Sequence, residues 1–373
     1  MSVRSIGVAV LMLLAGIAAS PQAQTKAASG VLRHSDHAPS SRAVGILEHV
    51  KVHGKALEGN LEGDSPDRDV TIYLPPSYNS ERNRRYPVVY LLHGYGGTDS
   101  TFTGRLASLP EIADKLVAAG GLREMIVAMP NAFSLHKGSM YSNSVTSGDW
   151  ETYVAHDLVA YVDSHYRTIP ERASRGLAGH SMGGYGAIRI GMKRPDVFSS
   201  LYIMSACCLN ARLDPQPAAM AASEAIRTRE QAEEAGRSAG FGPSTNLAFA
   251  AAWSPNPANP PLYLDLPVKD GKVRPDIVAK WAANAPLAMI DQYVPSLKSY
   301  RAIAIEIGTK DGLLPSNKEL DQAMTRFAVE HTYEEYEGDH TNRVAARIEM
   351  NVLPFFSDKL SFAPKGSATS STR

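Results

Sequence analysis

Short apolar runs separated by turn residues carry most of the structural signal in this chain. Strand-like runs lie at Gly45 to Val52, Asp69 to Leu74, Tyr86 to Leu92 and Met125 to Met129. From Trp150 to His165 the period changes, with Val154, Leu158, Tyr161 and Val162 recurring at helical spacing. The approach Arg175-Gly176-Leu177-Ala178 is again short and apolar, and Gly184 to Ile190 continues as a packed helix. Further strands are expected at Phe198 to Ser205, Ser299 to Ile307 and Thr332 to Tyr336, with a helix from Ser316 to Glu330 between the last two. This order begins antiparallel and becomes α/β, which predicts a mainly parallel central sheet with helices on both faces. Residues 209–298 interrupt the alternation with an Ala/Glu-rich helical section, a Pro/Asn-rich stretch from Ser254 to Pro261 and a second helical piece near Asp276 to Met289. A structureless loop of that length is rare inside a compact domain, so the section is expected to be a helical cap insertion.

The two ends read differently. Met1-Ser2-Val3-Arg4 followed by an apolar run from Ile6 to Ala19 has the charged start and short apolar core of a secretory signal, here taken as residues 1–23. The run is too short for a membrane span, and no lipidation cysteine accompanies it, although an uncleaved anchor is the alternative. Export to the periplasm or the outside is therefore expected, with no stable membrane span after cleavage. Residues 24–43 and 361–373 lack periodicity and read as loose tails around a folded domain at 44–360.

Composition narrows the partners. Lys and Arg total 38 against 38 Asp and Glu, so no basic field points to nucleic acid. The two cysteines, Cys207 and Cys208, are adjacent and cannot staple distant segments. Free thiols just after a strand are expected there in preference to a strained vicinal disulfide.

The chemistry concentrates at Gly179-His180-Ser181-Met182-Gly183, a G-x-S-x-G turn between an expected strand and an expected helix. The bland alternative is a glycine-rich strand-to-helix turn. A serine hydroxyl needs a base, and the base needs an acid to hold its tautomer. Asp311 stands in Gly308-Thr309-Lys310-Asp311-Gly312 after one strand, and His340 in Gly338-Asp339-His340-Thr341 after the last. With eleven histidines in the chain, placement decides more than presence. His331, the rival base, lies at a helix-to-strand junction on the opposite edge of a parallel sheet. Glu306, Asp321 and Asp339 compete for the acid role, the first within a strand and the second within a helix. Backbone N–H groups of Met182 and Tyr95, the latter in Leu91-Leu92-His93-Gly94-Tyr95-Gly96-Gly97, are the expected oxyanion donors; for the glycines an ordinary turn is the alternative.

Together these stretches resemble the esterase D branch of the α/β-hydrolase superfamily, which includes S-formylglutathione hydrolases, feruloyl esterases and mycolyltransferases. The resemblance runs from about Asp69 to Phe356 and rests on Val70 to Pro76 with Ser77-Tyr78, Tyr86 to Gly97, Tyr141-Ser142 with Trp150-Glu151, Gly179 to Gly184, and the contexts of Asp311 and His340. It implies an α/β-hydrolase fold and a serine carboxylic ester hydrolase working through an acyl-enzyme, on a small-molecule or glycan-linked ester. Section 209–298 departs from compact members, so substrate preference does not carry over. A mycolyl-type acyltransferase and a non-catalytic binding protein on the same scaffold are the alternatives. Tyr141, Trp150 and Tyr185 are candidate pocket walls, with core packing as the competing reading. No cofactor motif is present. The one close His/Asp cluster, His34-Ser35-Asp36-His37, lies in the expected tail, and no H-E-x-x-H occurs, so no metal centre is expected.

Overall fold

The computed structural model describes residues 44–211, 213–237 and 241–363. The expected signal peptide, the tail at 24–43 and the His34 cluster lie outside them. An eight-stranded sheet organises the domain: β1 Ile46–His53, β2 Asp67–Leu74, β3 Val88–Leu92, β4 Ile126–Pro130, β5 Arg175–His180, β6 Ser200–Met204, β7 Ala302–Gly308 and β8 Thr332–Tyr336. Their spatial order is β1-β2-β4-β3-β5-β6-β7-β8. β2 pairs antiparallel with β1 and β4, and every other neighbouring pair is parallel. This is the mainly parallel sheet that the alternation predicts.

The strands look as they do because both faces are covered. β3, β4 and β6 are buried at every position, which is why they read as continuous apolar runs. Successive side chains of β3 enter opposite layers: Val88, Tyr90 and Leu92 join one core, Val89 and Leu91 the other. The smaller core receives α1 Leu109–Ala118 and the C-terminal helix, and the larger one receives α2 Leu158–His165, α3 Met182–Lys193 and the cap. At the far edge β8 exposes Glu334 and Glu335, charges that oppose edge-to-edge pairing.

Helical periodicity from Trp150 to His165 is borne out, with a π-helical stretch at Tyr153–Asp157 inside it. Sequence pattern does not separate helix from loop between β3 and β4, where α1 begins with Pro110 in its first turn, a position that needs no backbone N–H. β7 starts at Ala302, three residues after the expected Ser299, because Ser299 closes the preceding helical turn through its N–H to the Ser296 carbonyl.

The described residues of 209–298 form a helical layer containing α4 Pro217–Glu224, α5 Arg229–Arg237, α6 Pro243–Trp253 and α7 Pro275–Ala282. The layer shares the large core with the sheet. Phe249 stacks on Trp253 at 4.8 Å, and Trp281 meets Trp253 edge-on at 5.8 Å. Each such ring, fully buried, stabilises by roughly 1.5–3 kcal/mol. Polar ties add direction: the Ser144 hydroxyl donates to the Ala251 carbonyl and Tyr185 donates to the Asn284 carbonyl at 2.9 Å. At the C-terminus, α8 Leu314–Arg326 and β8 precede α9 Leu353–Lys359. At the start of the stretch expected to be a loose tail, Ser361 donates its N–H to the Ala173 carbonyl, and Phe362 sits under Arg123 at 3.6 Å. No described helix is long and apolar enough to cross a membrane.

Candidate active site

The chain leaves β3 for β4 on one side and returns to β5 on the other, so connections diverge at the carboxyl ends of β3 and β5. Such a switch point leaves a crevice in a parallel sheet. Ser181 occupies it, between β5 and α3, with φ 59° and ψ −115°. A non-glycine residue at positive φ costs on the order of 1–3 kcal/mol and persists only when its surroundings enforce it. Here three backbone hydrogen bonds do so: Ser181 N–H to Met204 O (3.0 Å), and Ser181 O from Tyr185 N–H (3.0 Å) and Cys207 N–H (3.2 Å). The flanking glycines are required by space. A Cβ on Gly179 would lie 2.1 Å from the Gly183 carbonyl oxygen, and one on Gly183 would lie 2.0 Å from that of Leu92.

Asp311 and His340 emerge from the ends of β7 and β8 toward this turn. His340 Nε2 lies 2.9 Å from Ser181 Oγ, and His340 Nδ1 lies 2.7 Å from Asp311 Oδ2. Burial raises the Asp311 carboxyl, but hydrogen bonds from His340 and the Leu313 N–H outweigh it and hold the group below the usual carboxylate range. An ionised Asp311 accepts a hydrogen bond from Nδ1–H, which leaves Nε2 as an acceptor for the serine O–H. The rivals are engaged elsewhere. His331 pairs with Asp321 at 2.9 Å, Glu306 holds Arg347 at 2.7 Å, and Asp339 accepts the N–H groups of Thr341 and Asn342.

Two histidines outside the expected set support this arrangement. His180 donates Nε2–H to the His340 carbonyl at 2.7 Å, its ring 4.7 Å from that of His340. Burial, with the neighbouring His340, pushes it down to about 4 and keeps it neutral. His93 donates Nδ1–H to Gly94 O (2.7 Å) and accepts the Ala132 N–H on Nε2 (2.8 Å), pinning the loop after β3. Burial pushes it also down to about 4. The variable position of G-x-S-x-G was the sequence signal for His180, and the residue before Gly94 the signal for His93.

These shifts have a consequence for acid stability. Each ring has a folded pKa below the unfolded value of about 6.5, so its contribution is complete above that value and is lost as pH falls toward 4, by up to about 3 kcal/mol per ring. Thermal melts are expected to drop steeply between pH 6.5 and 4, and the drop should shrink in His180→Gln; a flat profile over that window would contradict the burial of both rings.

The Met182 N–H belongs to the first turn of α3, where a helix offers it no carbonyl. In the loop after β3, Gly96 N–H is taken by Lys137 O and Gly97 N–H by Gly94 O, while among the described residues no backbone acceptor takes that of Tyr95. Tyr95→Pro is expected to lower kcat by about 10²–10³-fold through loss of this donor, whereas Tyr95→Phe stays within a few-fold. Steady-state kinetics on p-nitrophenyl acetate distinguishes these, and a large loss in Tyr95→Phe would move the role to the hydroxyl.

Ser181 opens onto a cavity of about 590 Å³ bordered by Met140, Met182, Phe249, Leu313, Cys207 and Cys208. Both cysteines are half-buried, with Cys208 Sγ 2.7 Å from Cys207 Sγ. The segment expected to be a cap reaches this wall through Phe241 and Phe249, with Phe241 stacked on Tyr95 at 5.7 Å. Tyr141, Trp150 and Tyr185, the expected pocket aromatics, do not line it. Each is at most 1% exposed. Tyr141 donates to the His93 carbonyl beneath the loop, Trp150 to Ser147 O and Tyr185 to Asn284 O. Core packing claims all three because their hydroxyl or indole groups find backbone acceptors inside. Among the described residues no group of three or more His, Cys, Asp or Glu could hold a metal.

Residues 65–344 match the Esterase family, whose description is "Putative esterase". The chain belongs to this esterase family. It is similar to Esterase Rv1288 of Mycobacterium tuberculosis, 38% identical over 135 residues, which are 35% of this chain and 27% of that protein. It is also similar to an endo-1,4-beta-xylanase/feruloyl esterase of Xylanibacter ruminicola, 29% identical over 160 residues, 41% of this chain and 22% of the other. The esterase-family chain thus covers about a quarter of the length of these curated relatives. Among solved structures, a ferulic acid esterase superposes with TM-score 0.61 at 24% identity, over 84% of this chain and 98% of that one. An S-formylglutathione hydrolase from Staphylococcus aureus gives TM-score 0.57 at 18% identity, over 84% and 99%. The likeness to these solved structures shows the α/β-hydrolase fold.

Proposed function

We propose that this esterase-family chain is an exported serine carboxylic ester hydrolase that works through an acyl-enzyme on Ser181. The observation that carries the reading is the line from Ser181 Oγ to His340 Nε2 (2.9 Å) and from His340 Nδ1 to Asp311 (2.7 Å), at the switch point of the sheet. His340 takes the serine proton as Oγ attacks the ester carbonyl, Asp311 holds the imidazole and offsets its charge, and the N–H groups of Met182 and Tyr95 receive the oxyanion. His340 then returns the proton to the departing alkoxide. Water, activated by the same base, releases the acid. The apolar wall of Met140, Phe249 and Leu313 accepts the acyl part, so the cap takes part in substrate choice.

A fluorophosphonate probe tests the reading directly. Covalent label on the tryptic peptide containing Ser181, abolished in His340→Ala, is the expected result; label elsewhere or none would refute it. Protein taken from the native envelope fraction is expected to begin near residue 24, and an intact Met1 on a cytoplasmic product would remove export from the reading.

A further inference from the structure

The space around Ser181 has two lobes of unlike chemistry. The first is the apolar cavity already described. The second, about 410 Å³, runs past the loop after β3 and carries Arg105, Lys137 and Arg237 on its wall, with no Asp or Glu among the described lining residues. Ser181, His340, Tyr95 and Phe241 border both lobes. An ester held at Ser181 therefore has one part in each.

The three cations come from separate segments. Arg105 ends the helical turn Thr101–Arg105 after β3, Lys137 lies in the loop after β4, and Arg237 ends α5 of the cap. The chain as a whole has zero formal net charge, so their convergence is not a by-product of basic composition. Lys137 is 8% exposed with Nζ 5.6 Å from the Tyr95 ring centre, which brings its charge up against the residue proposed to receive the oxyanion. Arg105 donates to the Gly96 carbonyl of the same loop. Two carboxylates of α5, Glu233 and Glu234, are engaged by Arg229 and Arg237. A guanidinium has five donors, so Arg237 keeps some for a ligand.

The apolar lobe suits the part that stays bonded to Ser181 between the two half-reactions. The cationic lobe suits the part that departs. We propose that it binds a carboxylate or phosphate carried on the alcohol part of the ester, so that the enzyme selects esters with an anionic leaving group. This rests on the Ser181 esterase reading. In the step itself Ser181 Oγ bonds to the acyl carbon, the bond from that carbon to the alkoxy oxygen breaks, and the serine proton passes through His340 to the departing oxygen. The distant anionic group takes no part in bond making; it is recognised by charge-assisted hydrogen bonds.

Kinetics on near-isosteric esters tests this. 4-Acetoxybenzoate is expected to exceed its neutral amide, 4-acetoxybenzamide, by about tenfold or more in kcat/KM, the worth of one good charged hydrogen bond. The preference should fall as salt rises to about 0.5 M, where exposed charges are screened. Arg105→Gln, Lys137→Gln and Arg237→Gln should each reduce the ratio several-fold, and the triple variant should bring it close to one. The ratio cancels general damage, and Arg237, exposed on the cap, guards against a variant that misfolds. 4-Acetoxyphenyl phosphate measures the phosphate arm; a preference for either anion over the amide supports the proposal. Equal turnover of acid and amide, or a preference that survives all three substitutions, overturns it. So does discrimination seen only when the carboxylate sits on the acyl side, as in monophenyl succinate. Failure to turn over any of these esters, with no fluorophosphonate label, overturns the esterase reading and this proposal with it.

Discussion

Ser181→Ala yields a folded protein whose turnover of p-nitrophenyl acetate falls by on the order of 10⁴–10⁶-fold. Removing Oγ eliminates the atom positioned 2.9 Å from His340 Nε2, while it opens little volume in a residue that is already held through its backbone. Melting temperature should stay close to that of the parent. His340→Ala is expected to lose a comparable factor, because residues acting as a unit do not contribute additively. His331→Ala supplies the contrast: its ring pairs with Asp321 at the opposite edge of the sheet, so activity should be retained. Substantial turnover in Ser181→Ala, or the reverse pattern between the two histidines, would remove the triad from the account.

Gly183→Ala is expected to cost about 3 kcal/mol or more, enough to abolish soluble expression in many domains. The added methyl would stand 2.0 Å from the Leu92 carbonyl oxygen and 2.9 Å from that of His93. Both obstacles are backbone atoms, at the end of β3 and the start of the loop after it, so no rotamer change relieves them. Gly104→Ala is the control, since nothing lies within 4 Å of its added Cβ, and its stability should change by less than about 0.5 kcal/mol. Chemical denaturation of both variants separates the outcomes; a Gly183→Ala protein as stable as Gly104→Ala would show that α3 can recede from β3.

The sheet and the places of Ser181, Asp311 and His340 were legible because each signal was local. An apolar run followed at once by a functional residue puts that residue at the carboxyl end of a buried parallel strand, which is where Ser181, Asp311 and His340 stand. Pocket walls were not legible in this way. Tyr141 and Tyr185 carry aromatic rings close in sequence to the right loops, yet their hydroxyl groups turn inward to carbonyls of His93 and Asn284. Phe241 and Phe249 reach the cavity from a segment more than thirty positions past β6, and no pairing rule in the sequence connects that segment to Tyr95. Likewise His180 is plain in the motif, but its grip on the His340 carbonyl joins residues 160 positions apart.

The placement of residues 209–298 bears on how this chain could be re-engineered. They leave β6 at its carboxyl end and must deliver the chain to the amino end of β7, its parallel neighbour, with Ser200 opposite Ala302. The segment that shapes the cavity is therefore also the crossover that hands the chain from one strand to the next. Swapping in a foreign cap at the strand ends would replace the return path along with the wall. Cutting across 212–250 would take Leu247 and Phe249 out of the main core. An exchange confined to α4 and α5 leaves α6, α7 and the return to β7 in place, and removes only Met220 and Ala232 of these two helices from the main core.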